Sequence, residues 1–161
     1  MVSLATEDDG GAIVALAEAA SNFTPEEVAC VDELWQAYRA QGEASGYTFL
    51  VYRAKGRVLG FACYGPHSLA EGVFDLYWLA TAPQARGQGI GRALVQAIEQ
   101  GVRARGGRLV LVETSGTPEY EPARRFYEHV GYRYEAVIHD FYHPGDDLLI
   151  LVKRLGPGTS E

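Results

Sequence analysis

The chain has 161 residues, 47% of them hydrophobic, and a formal net charge of −7 at pH 7. We predict one domain over residues 1–155 and a loose tail over 156–161, since this length can bury a substantial core. Negative charge disfavours nucleic-acid binding, and no apolar run approaches the ~20 residues of a membrane span. MVSLATEDDGG lacks the pattern of a secretory signal, and Cys30 and Cys63 are too few for a disulfide framework, so we expect a cytoplasmic protein with reduced thiols.

The first half of the chain predicts a strand, two helices and a hairpin. Residues 2–5 suit a short strand, and Thr6 is placed to cap a helix that reaches Ala20. The sequence TPEE at 24–27 combines a capping threonine, a proline and a glutamate, which marks the start of a helix that ends near Gly42. The segments TFLVYRA and RVLGFACYG flank Lys55-Gly56 and predict a hairpin.

The central stretch predicts a strand, a glycine-rich turn and a helix. Residues 73–81 form an apolar run that should end near Ala82, because Pro83 cannot donate to a sheet. After the glycines, residues 93–104 repeat apolar side chains every four positions and predict a helix. Glycines let a ligand approach the backbone, and the free N–H groups of a helix start favour a phosphate or pyrophosphate.

Three kinds of phosphate-binding turn can be compared with this one. A Walker loop ends in Gly-Lys-Ser/Thr, whereas Gly91 is followed by Arg92 and Ala93. A dinucleotide fingerprint needs a third glycine one position later than Gly91, which disfavours a nicotinamide-dependent enzyme. The pattern Arg/Gln-x-x-Gly-x-Gly/Ala is matched in full by Arg86, Gly89 and Gly91. It resembles the coenzyme A signature of the GCN5-related N-acetyltransferases, the GNAT superfamily.

The rest of the chain extends this resemblance. Residues 108–114 suit a buried strand, 122–130 a helix, and 132–142 and 148–155 two closing strands. The segment ARRFYEHVGY at 123–132 resembles a second motif of the superfamily. Tyr120 stands where the family often has asparagine, so no contact of that asparagine with the cofactor is carried over.

The resemblance covers essentially the whole chain and implies a fold and a reaction. The implied α/β (α+β) fold has a mixed, mostly antiparallel sheet of about seven strands with four helices, in the order β-α-α-β-β-β-α-β-α-β-β. The implied reaction is the transfer of an acetyl group from acetyl-CoA, as cosubstrate, to a primary amine by direct attack. A non-catalytic CoA-binding sensor is the alternative.

The resemblance also assigns cofactor contacts. The backbone at Leu79 and Thr81 would hold the pantetheine, and the N–H groups of residues 88–92 the pyrophosphate. The full set of expected cofactor-binding residues is Leu79, Ala80, Thr81, Arg86, Gly87, Gln88, Gly89, Ile90, Gly91 and Arg92.

Three side chains are candidates for proton transfer. Tyr127, the tyrosine of the second motif, corresponds to the acid that protonates the leaving thiolate, although packing against the face of Ala123 would also explain it. Asp75 lies in the strand on the face expected for Tyr77, at what looks like the position of the family's catalytic glutamate, and Glu113 ends the next strand. Either carboxylate could be the base, or merely structural.

The partners are inferred from charge. Residues 1–50 contain nine acidic side chains against the single basic Arg39, and three aspartates lie in the segment 140–147. We therefore expect a cationic acceptor, a small molecule or a peptide, with no nucleic acid and no membrane. Segment 140–147 is expected to be a loop near the acceptor, and its Pro144-Gly145 turn disfavours a metal site at His139 and His143. The sequence leaves the oligomeric state open, a homodimer included.

Overall fold

The structure, a computed structural model, describes residues 1–156. Its elements follow the order β1-α1-α2-β2-β3-β4-α3-β5-α4-β6-β7, which confirms the predicted order. The strands are β1 (Val2–Leu4), β2 (Thr48–Ala54), β3 (Arg57–Pro66), β4 (Val73–Thr81), β5 (Leu109–Ser115), β6 (Arg133–His143) and β7 (Asp146–Arg154). The helices are α1 (Gly10–Ala19), α2 (Pro25–Gln41), α3 (Ile90–Ala104) and α4 (Glu121–His129).

All seven strands form one sheet in the order β1-β2-β3-β4-β5-β7-β6. Neighbouring strands are antiparallel except for β4 and β5, whose connection through α3 makes them parallel. This confirms the predicted mixed, mostly antiparallel sheet. The β4–β5 pair lies in the middle of the sheet.

Helices cover the two faces of the sheet. On one face, Trp35 of α2 packs edge-on against Phe49 with 5.4 Å between ring centroids, and Phe49 stacks on Phe61 of β3. On the other face α3 lies so close to β3 that a Cβ on Gly60 would meet the Ile90 side chain at 2.8 Å. Packing therefore requires a glycine at position 60. This close contact fixes the distance between α3 and the strands that form the site.

The helix starts follow from their capping residues. Thr24 and Glu27 form the predicted capping box at α2, with each backbone N–H bound by the other's side chain at 2.9 and 3.1 Å. The segment after Thr6 differs from the prediction, because a 3₁₀ turn over Glu7–Asp9 precedes α1. Asp9 there is buried and makes an ion pair with Arg53 at 2.9 Å, which ties the start of α1 to β2.

The end of the chain differs more from the prediction. The segment 140–147 is not a loop: β6 runs to His143 and β7 starts at Asp146, so only Pro144 and Gly145 form the turn. The register passes from Ile138↔Leu148 to His143↔Asp146, so residues 139–142 of β6 bulge out of the ladder. Most of the expected tail, 157–161, lies outside the described residues. Within 1–156, no helix is both long and apolar enough to cross a membrane.

Candidate active site

The site begins where β4 and β5 separate. They pair only from Val73↔Leu109 to Asp75↔Leu111. Beyond this, β4 continues along β3 to Thr81 while β5 continues along β7 to Ser115. The two central strands therefore leave an open fork, with unpaired backbone along the inner edge of β4. A ligand that carries amide groups can bind such an edge as an additional strand would.

One cavity of about 530 Å³ lies between the fork, the glycine turn and α4, and we call it the glycine-turn cavity. Most of the expected cofactor-binding residues line it: Leu79, Ala80, Thr81, Arg86, Gly87, Gly89, Ile90, Gly91 and Arg92. Gln88 is not among the lining residues. The cavity thus joins the inner edge of β4 to the start of α3.

The backbone of the glycine turn is open to a ligand. Gly87 and Gly89 have φ angles of 78° and 80°, which residues with a Cβ rarely adopt. A Cβ added to either would find no heavy atom within 4 Å, so empty space surrounds the backbone. Gly89 precedes the first turn of α3, where N–H groups have no partner within the helix. This arrangement, with Arg86 and Arg92 beside it, suits a pyrophosphate.

A second cavity of about 510 Å³ lies inside the fork and on the side of α2, and we call it the fork cavity. Its walls come from the α1–α2 connection, β4, β5, α4 and the β6–β7 hairpin. Tyr127 lines both this cavity and the glycine-turn cavity, as do Asn22, Leu79 and Ala123. The two cavities therefore meet at Tyr127, on the helix face that it shares with Ala123.

Tyr127 is buried, and this burial raises the pKa of its phenol well above the ordinary value. The hydroxyl therefore keeps its proton at neutral pH and is available as a donor. The ring packs edge-on against Phe126 and Tyr132. Packing fixes the ring, and both cavities reach it, so the packing explanation and the functional one are compatible.

A bulge in β4 changes where its side chains point. β3 pairs Cys63↔Trp78 and then Tyr64↔Leu76, which leaves Tyr77 without a partner. The alternation along β4 is interrupted there, although Asp75 and Tyr77 still face one space. This space is a third cavity of about 670 Å³, which we call the Asp75 cavity; Asp75 does not line the fork cavity.

The Asp75 cavity and the fork cavity are neighbours. Six residues line both of them: Glu27, Leu76, Tyr77, Trp78, Glu113 and Tyr142. Glu113 lies on β5 beyond Leu111, the last residue of β5 that pairs with β4, and it lines both cavities. The two predicted base candidates therefore share one region, with Glu113 nearer to Tyr127 through the fork cavity.

Charge divides the cavities. Arg86 and Arg92 line the glycine-turn cavity, together with one carboxylate, Glu119. The fork and Asp75 cavities are lined by carboxylates, namely Glu26, Glu27, Asp75, Glu113 and Asp146. Among the described residues, neither of these two cavities has a lysine or an arginine in its wall. Of the nine acidic residues in 1–50, only Glu26 and Glu27 face them.

Two tyrosines in the fork cavity respond to this negative field. Burial, followed by the charge of Glu27, raises the pKa of Tyr120 to about 12. Burial also raises the pKa of Tyr142, and the charges of Glu113 and Asp146 add to it. Carboxylates from α2, β5 and the β6–β7 hairpin thus act on the same small volume, although they are far apart in the sequence.

The histidines take different positions. His143 lines the fork cavity with Asp146. His139 pairs with Asp147 at 3.0 Å on the exposed bulge, away from the three cavities, and Asp140 lies there too. Of the three aspartates expected near the acceptor, only Asp146 is there. No group of His, Cys, Asp or Glu within 1–156 has an arrangement that could hold a metal ion.

Sequence reasoning did not identify several wall residues. Tyr120 donates its hydroxyl to the Asn22 carbonyl at 2.8 Å and so joins the start of α4 to the α1–α2 connection. Trp78 and Tyr142 line the fork cavity as well. None of them belongs to a motif, and only the unusual tyrosine at 120 gave a signal in the sequence.

Comparisons with known proteins agree with this geometry. The sequence profile of the acetyltransferase (GNAT) domain matches residues 45–134. A GNAT-family protein of known crystal structure from Desulfovibrio desulfuricans is 39% identical, with a TM-score of 0.91 over 96% of this chain and 99% of that one. The chain therefore belongs to the GNAT acetyltransferase superfamily, which confirms the resemblance.

Two further relatives are more distant. An uncharacterized N-acetyltransferase of Methanocaldococcus jannaschii is 29% identical over 107 residues, 66% of this chain and 65% of that protein, slightly less than two thirds of its length. An aminoglycoside 6'-N-acetyltransferase complexed with coenzyme A is 16% identical, with a TM-score of 0.78 over 99% of both chains. At that identity the likeness concerns the fold.

Proposed function

We propose that this protein transfers the acetyl group of acetyl-CoA to a primary amine on a positively charged acceptor. The observation that carries the proposal is the pair of cavities that meet at Tyr127. The glycine-turn cavity offers arginines and helix N–H groups, whereas the fork cavity offers carboxylates and aromatic rings. An anionic cofactor suits the first and an ammonium the second, with the reacting atoms between them.

The fit of acetyl-CoA rests on three features. The helix start and the arginines suit the pyrophosphate. The inner edge of β4, at Leu79 to Thr81, supplies backbone groups for the amides of the pantetheine arm. The fork lets the thioester pass between the strands toward Tyr127, so one extended molecule could occupy the whole glycine-turn cavity.

The chemistry follows from the groups at the junction. The ammonium must lose a proton before its nitrogen can attack the thioester carbonyl. Asp75 and Glu113 are the carboxylates that can draw the ammonium in, and either can accept its proton as the base. When the C–S bond breaks, the thiolate takes the hydroxyl proton of Tyr127, whose phenol is then reprotonated by the proton released from the new amide nitrogen.

The experiment is thiol release from acetyl-CoA with a panel of amines. Four are cationic (1,4-diaminobutane, spermidine, kanamycin and a lysine-bearing peptide) and two are acidic (glutamate and aspartate). We expect release with cationic amines and little with acidic ones. Preference for the acidic amines would contradict the cationic acceptor. Binding of acetyl-CoA without turnover on any amine would instead support the sensor alternative.

A further inference from the structure

A histidine at the end of β3 is paired with Asp75. The backbone N–H of His67 donates to the Val73 carbonyl at 2.8 Å, which fixes the β3–β4 connection. The Nδ1 atom of His67 lies 3.0 Å from Oδ2 of Asp75. The Asp75 side chain is 16% exposed and that of His67 46%, so the carboxylate is sheltered while the ring reaches solvent.

This pairing determines what the imidazole can do. A carboxylate can only accept, so Nδ1 carries the hydrogen in the pair and Nε2 of the neutral ring keeps a free lone pair. The carboxylate also stabilises the imidazolium that forms when Nε2 takes up a proton. Nε2 is therefore the atom of this pair that can accept a proton.

The pair is placed beside the proposed acceptor site. Both residues line the Asp75 cavity, which is continuous with the fork cavity through Tyr77, Trp78 and Glu113. Tyr77 does not compete for the role, because burial and then the charge of Asp75 raise the pKa of its phenol to about 12. A proton that leaves the ammonium can therefore pass to His67 and from its exposed side to water.

We propose that His67 accepts the proton of the acceptor ammonium and that Asp75 positions the imidazole. This rests on the proposed acetyl transfer and replaces Asp75 as the direct base. The ammonium loses one proton to Nε2, the nitrogen attacks the thioester carbonyl, and the C–S bond breaks. A second proton from nitrogen ends on the CoA thiol by way of Tyr127, and the third stays on the amide. His67 then releases its proton to solvent.

Other titratable groups face the same cavity. They are Glu27 from α2, Tyr47 before β2, Asp75 and Tyr77 from β4, Glu113 from β5 and Tyr142 from β6. The carboxylates favour the charged imidazolium and the ammonium alike. The pH dependence must therefore be assigned by comparing variants and not from one profile.

The test is the pH profile of kcat/KM with the fastest of the four cationic amines. His67→Gln should lose ~10²-fold in kcat/KM, and the ionisation of the imidazole should be missing from its pH profile. Asp75→Asn should lose about tenfold or more. His139→Gln is the matched control, since His139 and Asp147 form the same pair at 3.0 Å outside the cavities, and its profile should not change.

Two measurements separate proton transfer from structure. An amine that is already neutral at the assay pH, such as 2,2,2-trifluoroethylamine, should react at similar rates with wild type and His67→Gln. Added imidazole should restore activity to His67→Ala. Equal loss for neutral and protonated amines, or a wild-type profile in His67→Gln, would overturn the role of His67 while leaving acetyl transfer intact.

A third measurement is independent of the acceptor. Nitrogen NMR of the neutral His67 ring should show Nδ1 protonated and Nε2 unprotonated, with the tautomer ratio altered in Asp75→Asn. The opposite tautomer would overturn the proposal even if no amine of the panel reacts. Failure of every amine would contradict the proposed function alone.

Discussion

The two cavities that meet at Tyr127 are built in different ways. Half of the residues that line the glycine-turn cavity come from one continuous stretch, Leu79 to Arg92, which presents backbone groups at the start of a helix. The fork cavity takes its charged side chains from α2, β5 and the β6–β7 hairpin. A site made from backbone tolerates changes of side chain but not of backbone conformation, whereas a site made from side chains can change its acceptor by single substitutions.

The largest expected effect is on the backbone site. Gly89→Asp should abolish acetyl-CoA binding, because it forces a Cβ and a negative charge onto a residue with φ of 80° at the helix start. Wild-type protein should gain about 2.7 kcal/mol of stability at acetyl-CoA a hundredfold above Kd, seen as a rise in Tm, and the variant none.

Gly106→Asp controls for strain. Gly106 has φ of 75° and equally open space around its position, but it follows the C-terminal end of α3. The Gly106→Asp variant should lose stability and keep the rise in Tm with acetyl-CoA. An equal loss of that rise in both variants would show that strain, not the pyrophosphate site, is responsible.

The next effect is at the junction. Tyr127→Phe should lower kcat by ~10²–10⁴ and leave the Kd of acetyl-CoA nearly unchanged, because only the proton donor is lost. Tyr132→Phe is the control: it removes the hydroxyl of the neighbouring ring, which binds the buried Glu99 at 3.1 Å. It should cost about 1–3 kcal/mol in urea unfolding without a comparable loss of turnover. If Tyr127→Phe keeps the turnover of the wild type, the role of Tyr127 is packing and not proton donation.

A smaller effect is expected for the charge of the acceptor side. Glu113→Gln should raise the KM of a cationic amine about tenfold, an effect of about 1.4 kcal/mol, and leave the KM of acetyl-CoA unchanged. Glu128→Gln, on α4 and outside the three cavities, should change neither. Added salt should raise the acceptor KM of the wild type more than that of Glu113→Gln. If neither Glu113→Gln nor added salt changes the KM of the acceptor, the proposed electrostatic difference between the two cavities is wrong.

The smallest effect concerns the segment that borders both cavities. Tyr120→Phe removes the 2.8 Å hydrogen bond to the Asn22 carbonyl and should lower the free energy of unfolding by about 0.5–1.5 kcal/mol. The pKa of Tyr120, about 12, keeps this donor protonated through the neutral range, so the loss should be the same at pH 6 and pH 8. Unchanged stability would show that the α1–α2 connection is held by packing alone.

Local patterns predicted the elements that depend on local interactions. β4 occupies the predicted residues 73–81, and α2 starts at its capping box. The start of α3 was placed at Ala93 and lies at Ile90, because Gly89 in the left-handed conformation lets the helix begin at once. The segment 140–147 was predicted as a loop with a turn at Pro144-Gly145, yet the pair His143↔Asp146 reduces the connection of β6 and β7 to those two residues.

The sequence by itself determined the family, the order of the elements and the glycine-rich turn before α3, because these follow from continuous motifs and from periodicity. Tertiary structure decided which charges matter. The nine acidic residues in 1–50 suggested that the acceptor site is acidic. Of these nine, only Glu26 and Glu27 line the fork cavity, and Glu113 and Asp146 join them from the other half of the chain. The fold also places Oδ2 of Asp75 3.0 Å from Nδ1 of His67, a pair that the sequence analysis did not predict. Such pairings depend on how the strands pair with one another in the fold, because a register shift of one residue turns each side chain to the other face of the sheet.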